Sequence, residues 1–134
     1  MSDRHATGVL DTSTYIDLSD LSPEALPRTA ELTTITLAEL HQGVAMARNP
    51  TTRNARAERL GAAIADFAPL PFDADAASRY GSLVALVVGQ GRNPRPRRLH
   101  LMIAAIASSA GLPLYTRNPD DLSGLGGLLT IVVV

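Results

Sequence analysis

An α/β fold with a mostly parallel sheet is predicted for this 134-residue chain, and two observations predict it. Short apolar runs rich in β-branched residues alternate with longer segments of helical periodicity, and polar or Gly/Pro-bearing breaks separate them. With 46% hydrophobic and 19% charged residues, there is enough apolar material for a packed core. The length fits a single domain spanning residues 1–134.

The first strand is expected at residues 7–10, where GVL ends abruptly in Asp11-Thr12-Ser13-Thr14. Residues 21–27 carry two prolines and read as a loop. Over 32–37, Thr alternates with Leu and Ile, which suits a strand or the lead-in to a helix over 38–47. Pro50-Thr51-Thr52 reads as a break. In 53–67, Leu60, Ala63, Ile64 and Phe67 recur at helical spacing while Arg53, Arg56 and Arg59 share the opposite face, so an amphipathic helix follows. APLPFD then punctuates, with room for a very short strand.

A helix over 74–89 turns Tyr80, Leu83, Val84, Val87 and Val88 inward. GRNPRP, residues 91–96, is expected to be irregular because of its prolines. The segment 99–110 is apolar on nearly all sides, the mark of a buried central helix, and Gly111 is its natural stop. LPLYT gives the next strand, RNPDDLSGLGG a loop with a short helical turn, and 128–134 a β-branched closing strand.

Composition excludes several chemistries. All 12 basic residues are arginine, so Schiff-base, catalytic-lysine and phosphate-loop-lysine mechanisms are ruled out. The absence of cysteine removes disulfides, thiolate nucleophiles and Cys-type zinc sites. A formal charge of -1 argues against bulk attraction to nucleic acid or lipid, leaving local patches to act. The opening MSDRHATG lacks the apolar core of a signal peptide, and LVALVVG and LLTIVVV are too short for a membrane span, so a cytoplasmic protein is expected.

In open α/β sheets, ligands bind beyond the carboxyl ends of the strands. Asp11 follows the first strand, Asn118, Asp120 and Asp121 follow the strand at 112–115, and Glu39 lies early in the helix after 32–37. Three acidic elements could therefore meet at one edge. Each also has a capping explanation: Asp11 for a helix from Thr12, Thr36 and Glu39 as a capping box, and Asn118-Pro119 as a helix start. A phosphoacceptor receiver domain also clusters aspartates at strand ends, but it needs a lysine that this chain lacks.

The segments VLDTSTYI (9–16), TTITLAELHQGV (33–44) and LMIAAIASSAGLPLYTRNPDDL (101–122) resemble PIN-domain ribonucleases, specifically the VapC-type toxins of bacterial toxin-antitoxin pairs. The resemblance covers nearly the whole chain. It implies a PIN-like three-layer α/β/α architecture with a small, mostly parallel sheet, carboxylates holding Mg2+ or Mn2+, and metal-dependent endoribonuclease activity leaving a 5′-phosphate and a 3′-hydroxyl. It further implies inhibition by a cognate VapB-like antitoxin, and a homodimer or toxin-antitoxin hetero-oligomer.

Carried over by position, the resemblance implies that Asp11, Glu39 and Asp121 are catalytic and hold the metal, and that Asn118 belongs to the ligand set. Thr12, Ser13 and Thr116 fall in supporting positions. Where the family has its third aspartate, this chain has His100, which either replaces that ligand or covers the start of the helix. Imidazole suits Mn2+ and softer ions better than Mg2+, and a helix N-terminus favours its neutral form. The alternative function is accordingly a catalytically weakened PIN-fold protein that acts by binding RNA or its antitoxin. Arg97, Arg98 and Arg117 are expected to contact RNA phosphates, whereas Arg92 and Arg95 suit a solvated loop equally well.

Overall fold

Four parallel strands, β1 (Thr7–Leu10), β2 (Thr29–Glu31), β3 (Leu114–Thr116) and β4 (Ile131–Val133), lie in the order β2-β1-β3-β4 in a computed structural model that describes residues 5–134. The part of the leader reading that falls on residues 1–4 lies outside the described residues. Val9 stands opposite Leu114 and Leu10 opposite Tyr115, so the two central strands are in register. Five helices accompany them: α1 (Thr12–Ile16), α2 (Thr34–Ala45), α3 (Pro50–Asp66), α4 (Ala74–Gly89) and α5 (Arg98–Ser109).

Strand alternation sorts the core into two layers. Val9, Leu114 and Ile131 pack with Leu83 and Val87 of α4 and with Leu101 and Ile103 of α5. Their neighbours Leu10, Tyr115 and Val132 pack on the other side with Tyr15 of α1, Leu40 of α2 and Ala63 of α3. The sheet is thus covered by helices on both faces, giving the three-layer α/β/α arrangement, as all-parallel sheets require. Each fully buried Leu or Val contributes about 2 kcal/mol, and β1, β3 and α5 carry many of them.

Glycine is required where β1 meets the ring of Tyr115. A Cβ at Gly8 would stand 2.5 Å from Tyr115 Cε1 and 3.2 Å from Pro27 Cβ. At the end of α5, Gly111 takes φ 69°, the left-handed conformation that stops a helix.

The structure corrects several boundaries. The residues read at 32–37 as a strand or the lead-in to a helix are mostly helical themselves: α2 starts at Thr34 because Thr33 is its cap, its hydroxyl accepting from the Thr36 amide at 3.2 Å. The capping box built on Thr36 and Glu39 is therefore displaced, and Glu39 is left for other partners. Pro50-Thr51-Thr52 is the first turn of α3, capped by Asn49 with Pro50 at its start, where a missing amide costs nothing.

Ile64 and Val88, expected on inward faces, are 55% and 57% exposed. The APLPFD segment contributes an isolated parallel bridge between Leu70 and Thr33. Within GRNPRP a short 3-10 turn forms at Arg95–Arg97. The closing strand is shorter than 128–134, and no helix among the described residues is long and apolar enough to cross a membrane.

Candidate active site

Beyond the carboxyl ends of β1 and β3 lies an open cleft of about 510 Å³ whose walls include Asp11, Thr12, Ser13, Glu39, His100, Asn118 and Asp121. Its other wall is the segment from Arg95 to Leu99, with Ile103 beneath. Each acidic residue arrives by a local rule. Asp11 is the cap of α1, its Oδ1 accepting from the Thr14 amide at 3.0 Å and from the Ser13 hydroxyl at 3.4 Å. Capping and site placement are thus compatible for this residue, because the cap uses one carboxylate oxygen and leaves the other facing the cleft. Asp121 rides on a 3-10 turn, Pro119–Leu122, anchored by the fully buried Leu122. Asn118 precedes that turn without capping it by its side chain.

His100 sits between two carboxylates. Its Nε2 is 3.0 Å from Asp11 Oδ2 and its Nδ1 is 3.3 Å from Asp121 Oδ2. A neutral imidazole donates from one nitrogen only, so both contacts are satisfied at once only by the imidazolium. Burial opposes that charge, but the hydrogen bond and charge of Asp11, reinforced by Asp121, outweigh it and raise the His100 pKa above its ordinary value. The helix N-terminus expected to favour the neutral ring is opposed here by two adjacent carboxylates, which favour the charged form more strongly than a partial dipole charge disfavours it. Protonation of this ring and its use as a metal ligand exclude each other, since an imidazolium has no lone pair to offer.

Asp11 is buried, which would push its carboxyl up, yet hydrogen bonds from His100, Thr116 and Thr14 reverse the effect and hold it below the usual carboxylate range. Asp121 gathers three donors: His100, the Asn118 side-chain amide at 3.3 Å and Arg97 Nε at 3.3 Å. Thr116 Oγ1 accepts from the Asn118 amide at 2.9 Å and lies 3.4 Å from His100 Nε2.

Glu39 is held from a different direction. The Thr12 hydroxyl donates to Glu39 Oε1 at 2.8 Å, and Thr36 Oγ1 lies 3.0 Å from Thr12 Oγ1. Since Thr12 gives its single proton to Glu39, the fully buried Thr36 hydroxyl must be the donor to Thr12. Sequence reasoning placed Thr36 only as a cap. Its partner is 24 positions away, and the one available signal was that the starts of α1 and α2 lie at the same sheet edge.

Of the arginines expected at RNA, Arg98 lines the cleft and is exposed, Arg97 lines it but is paired with Asp121, and Arg117 pairs with Asp17 at 3.1 Å. Arg95, read as loop, also lines the cleft. The donor set fits a hard divalent ion in kind, since Asp11, Glu39 and Asp121 offer carboxylate oxygens to one space. Among the described residues no group of three acidic or imidazole side chains is arranged to hold a metal ion: Asp11 and Asp121 are turned to His100, and Glu39 to Thr12.

No protein-family model matches the chain. It is, however, 37% identical to Ribonuclease VapC5 of Mycobacterium tuberculosis, across 100% of this chain and 98% of that relative. The chain belongs to the VapC family of PIN-domain toxins. Among solved structures, this VapC chain superposes on the VapBC-5 toxin-antitoxin system of M. tuberculosis with a TM-score of 0.83 and 36% identity, over 96% of this chain and 98% of that one. FitAcB from Neisseria gonorrhoeae follows the same fold, with a TM-score of 0.69 and 27% identity over 92% and 94% of the two chains. So does the DNA-bound VapBC of Salmonella typhimurium, which at 24% identity and a TM-score of 0.76 speaks for the fold alone. The VapC chain thus shares its α/β sheet, and not only its sequence motifs, with toxins crystallised in VapBC complexes.

Proposed function

We propose that this VapC chain is a metal-dependent endoribonuclease toxin of a type II toxin-antitoxin pair, acting in the cytoplasm and held inactive by a cognate VapB-like antitoxin. The carrying observation is that Asp11, Glu39 and Asp121, from three separate segments, line one cleft at the carboxyl edge of a parallel sheet. The ribonuclease relative and the VapBC neighbours support the activity and the partner class.

Asp11, Glu39 and Asp121 would hold Mg2+ or Mn2+. Such an ion, when bound, lowers the pKa of water and offsets charge on the phosphoryl oxygens. Around it the chain's own residues do the positioning. Thr12 aims Glu39, Ser13 and the Thr14 amide fix Asp11, and Asn118 restrains Asp121 while its own amide is held by Thr116. Deprotonated carboxylates are required throughout, and the depressed pKa of Asp11 keeps it so. The resemblance implies a 5′-phosphate and a 3′-hydroxyl as products, and internal cleavage needs a cleft that passes a strand through and does not cap its end.

The test is cleavage of total RNA by purified protein with Mg2+, with Mn2+ and with EDTA, beside Asp11→Ala. Metal-dependent fragments that vanish in the variant are expected; RNA binding with no cutting under any metal would overturn the enzyme reading. One observation favours a second reading, a weakened nuclease that works by binding: His100 stands 3.0 Å from Asp11 and 3.3 Å from Asp121, where a protonated ring would bring the positive charge that a cation otherwise supplies.

A further inference from the structure

The three arginines on the cleft wall are not equivalent. Arg97 donates Nε to Asp121 Oδ1 and Nη1 to the Asn93 carbonyl, so its guanidinium is committed to the fold. Arg95 and Arg98 are exposed, and no carboxylate among the described residues pairs with either guanidinium. The local backbone explains the division. Arg95–Arg97 form a 3-10 turn that Arg98 terminates on its way into α5. Side chains three apart eclipse one another in a 3-10 helix, so Arg95 and Arg98 share one side and Arg97 falls on another, toward Asp121.

We propose that Arg95 and Arg98 form a two-point clamp for the backbone phosphates of an RNA strand crossing the cleft, while Arg97 is a positioning residue that acts through Asp121. The clamp rests on the ribonuclease reading and specifies how that site takes its substrate. The floor of the cleft carries Asp11, Glu39 and Asp121, which repel a polyanion. Unpaired guanidiniums at the wall offset that repulsion, and their planar forks match phosphate oxygens. Phosphate contacts carry no base information, so the clamp holds strands of any sequence and leaves selection to other parts of the surface. Arg97 is unsuited to the same task, because recruiting it to phosphate would strip a donor from Asp121.

Fluorescence anisotropy on the full chain, with labelled oligo(U) and oligo(A) RNA in EDTA over a range of KCl concentrations, tests the clamp. Each single-strand phosphate contact adds about 0.7 to the slope of log K against log salt. Arg95→Gln and Arg98→Gln are each expected to lower the slope by about that amount, equally on both oligonucleotides, with the double variant losing about twice as much. Arg28→Gln, exposed and remote from the cleft, controls for net charge. Arg97→Gln should retain the full slope while slowing cleavage. Wild-type binding with unchanged slopes in Arg95→Gln and Arg98→Gln would overturn the clamp alone, and would direct these arginines to an acidic protein segment. A wild-type chain that binds neither RNA would also overturn the clamp, whereas the ribonuclease reading falls separately, on the absence of metal-dependent cleavage of total RNA.

Discussion

His100 Nε2 stands 3.0 Å from Asp11 Oδ2, and the opposite nitrogen of the same ring reaches Asp121. The pair joins α5 to the end of β1 through a contact in which both partners are largely shielded from solvent. Its contribution to stability is bounded on both sides by pH. The Asp11 pKa lies below 3.8, so that part is present above this value and is lost as pH falls through the lower folded pKa. The His100 pKa lies above 6.5, so its part is full below 6.5 and is lost as pH rises through the raised folded pKa. Metal-free protein should therefore show a higher urea midpoint at about pH 5.5 than at about pH 9, and His100→Gln should flatten the difference. A wild-type midpoint that rises toward alkaline pH would refute the assignment.

Replacing the imidazole by a carboxylate should trade intrinsic stability for metal affinity. His100→Asp puts a third negative charge beside Asp11 and Asp121, so the EDTA-treated variant should melt below wild type. A further carboxylate about 4 Å from a divalent ion adds about 2 kcal/mol of attraction, so Mg2+ should bind about thirtyfold more tightly, raise the melting temperature more than in wild type, and strengthen cleavage. Calorimetric titration of Mg2+ reads the affinity directly. Unchanged affinity would mean that the side chain at position 100 faces no ion.

The hydroxyl chain from Thr36 through Thr12 to Glu39 predicts an effect at a distance. Thr36→Val keeps the shape of a fully buried side chain but leaves Thr12 without its donor. Positioning partners of this kind are worth 10- to 100-fold, so kcat should fall by about tenfold with little change in KM. Thr36→Ser should restore it. Equal losses in both variants would reduce Thr36 to a packing residue.

At Gly8 the prediction concerns folding alone. The Tyr115 ring is 2% exposed and has no room to withdraw from an added methyl group, so Gly8→Ala should cost about 2 kcal/mol in urea unfolding. An unperturbed midpoint would show that β1 and Tyr115 are less closely packed than described.

How much of this was legible depended on the range of the forces involved. β1 and α4 fall on residues 7–10 and 74–89 as expected, because a short apolar run against a polar cluster and a long periodic stretch behind an aspartate cap are local signals. The start of α2 was misread because Thr33 and Thr36 both suit a cap, and only the bridge from Thr33 to Leu70 fixes which one leaves the helix. β2 escaped notice because an edge strand of three residues carries no apolar pattern. At the cleft, the residue types of Asp11, Glu39 and Asp121 were visible, and the order of strands and helices implied a common edge. What His100 does between them was not, since its charge state is set by neighbours 89 and 21 positions away. Likewise, which arginine is spent on Asp121 depends on the twist of one 3-10 turn.

The strand order β2-β1-β3-β4 puts β3, which is formed by residues 114–116, directly beside β1, which is formed by residues 7–10. A chain still being synthesised therefore cannot close the middle of its sheet, or bring residue 121 to residue 11, until residues 114–121 have left the ribosome. Whatever chemistry the cleft performs, a polypeptide that stops short of residue 114 has neither the central strand β3 nor the turn that carries Asp121.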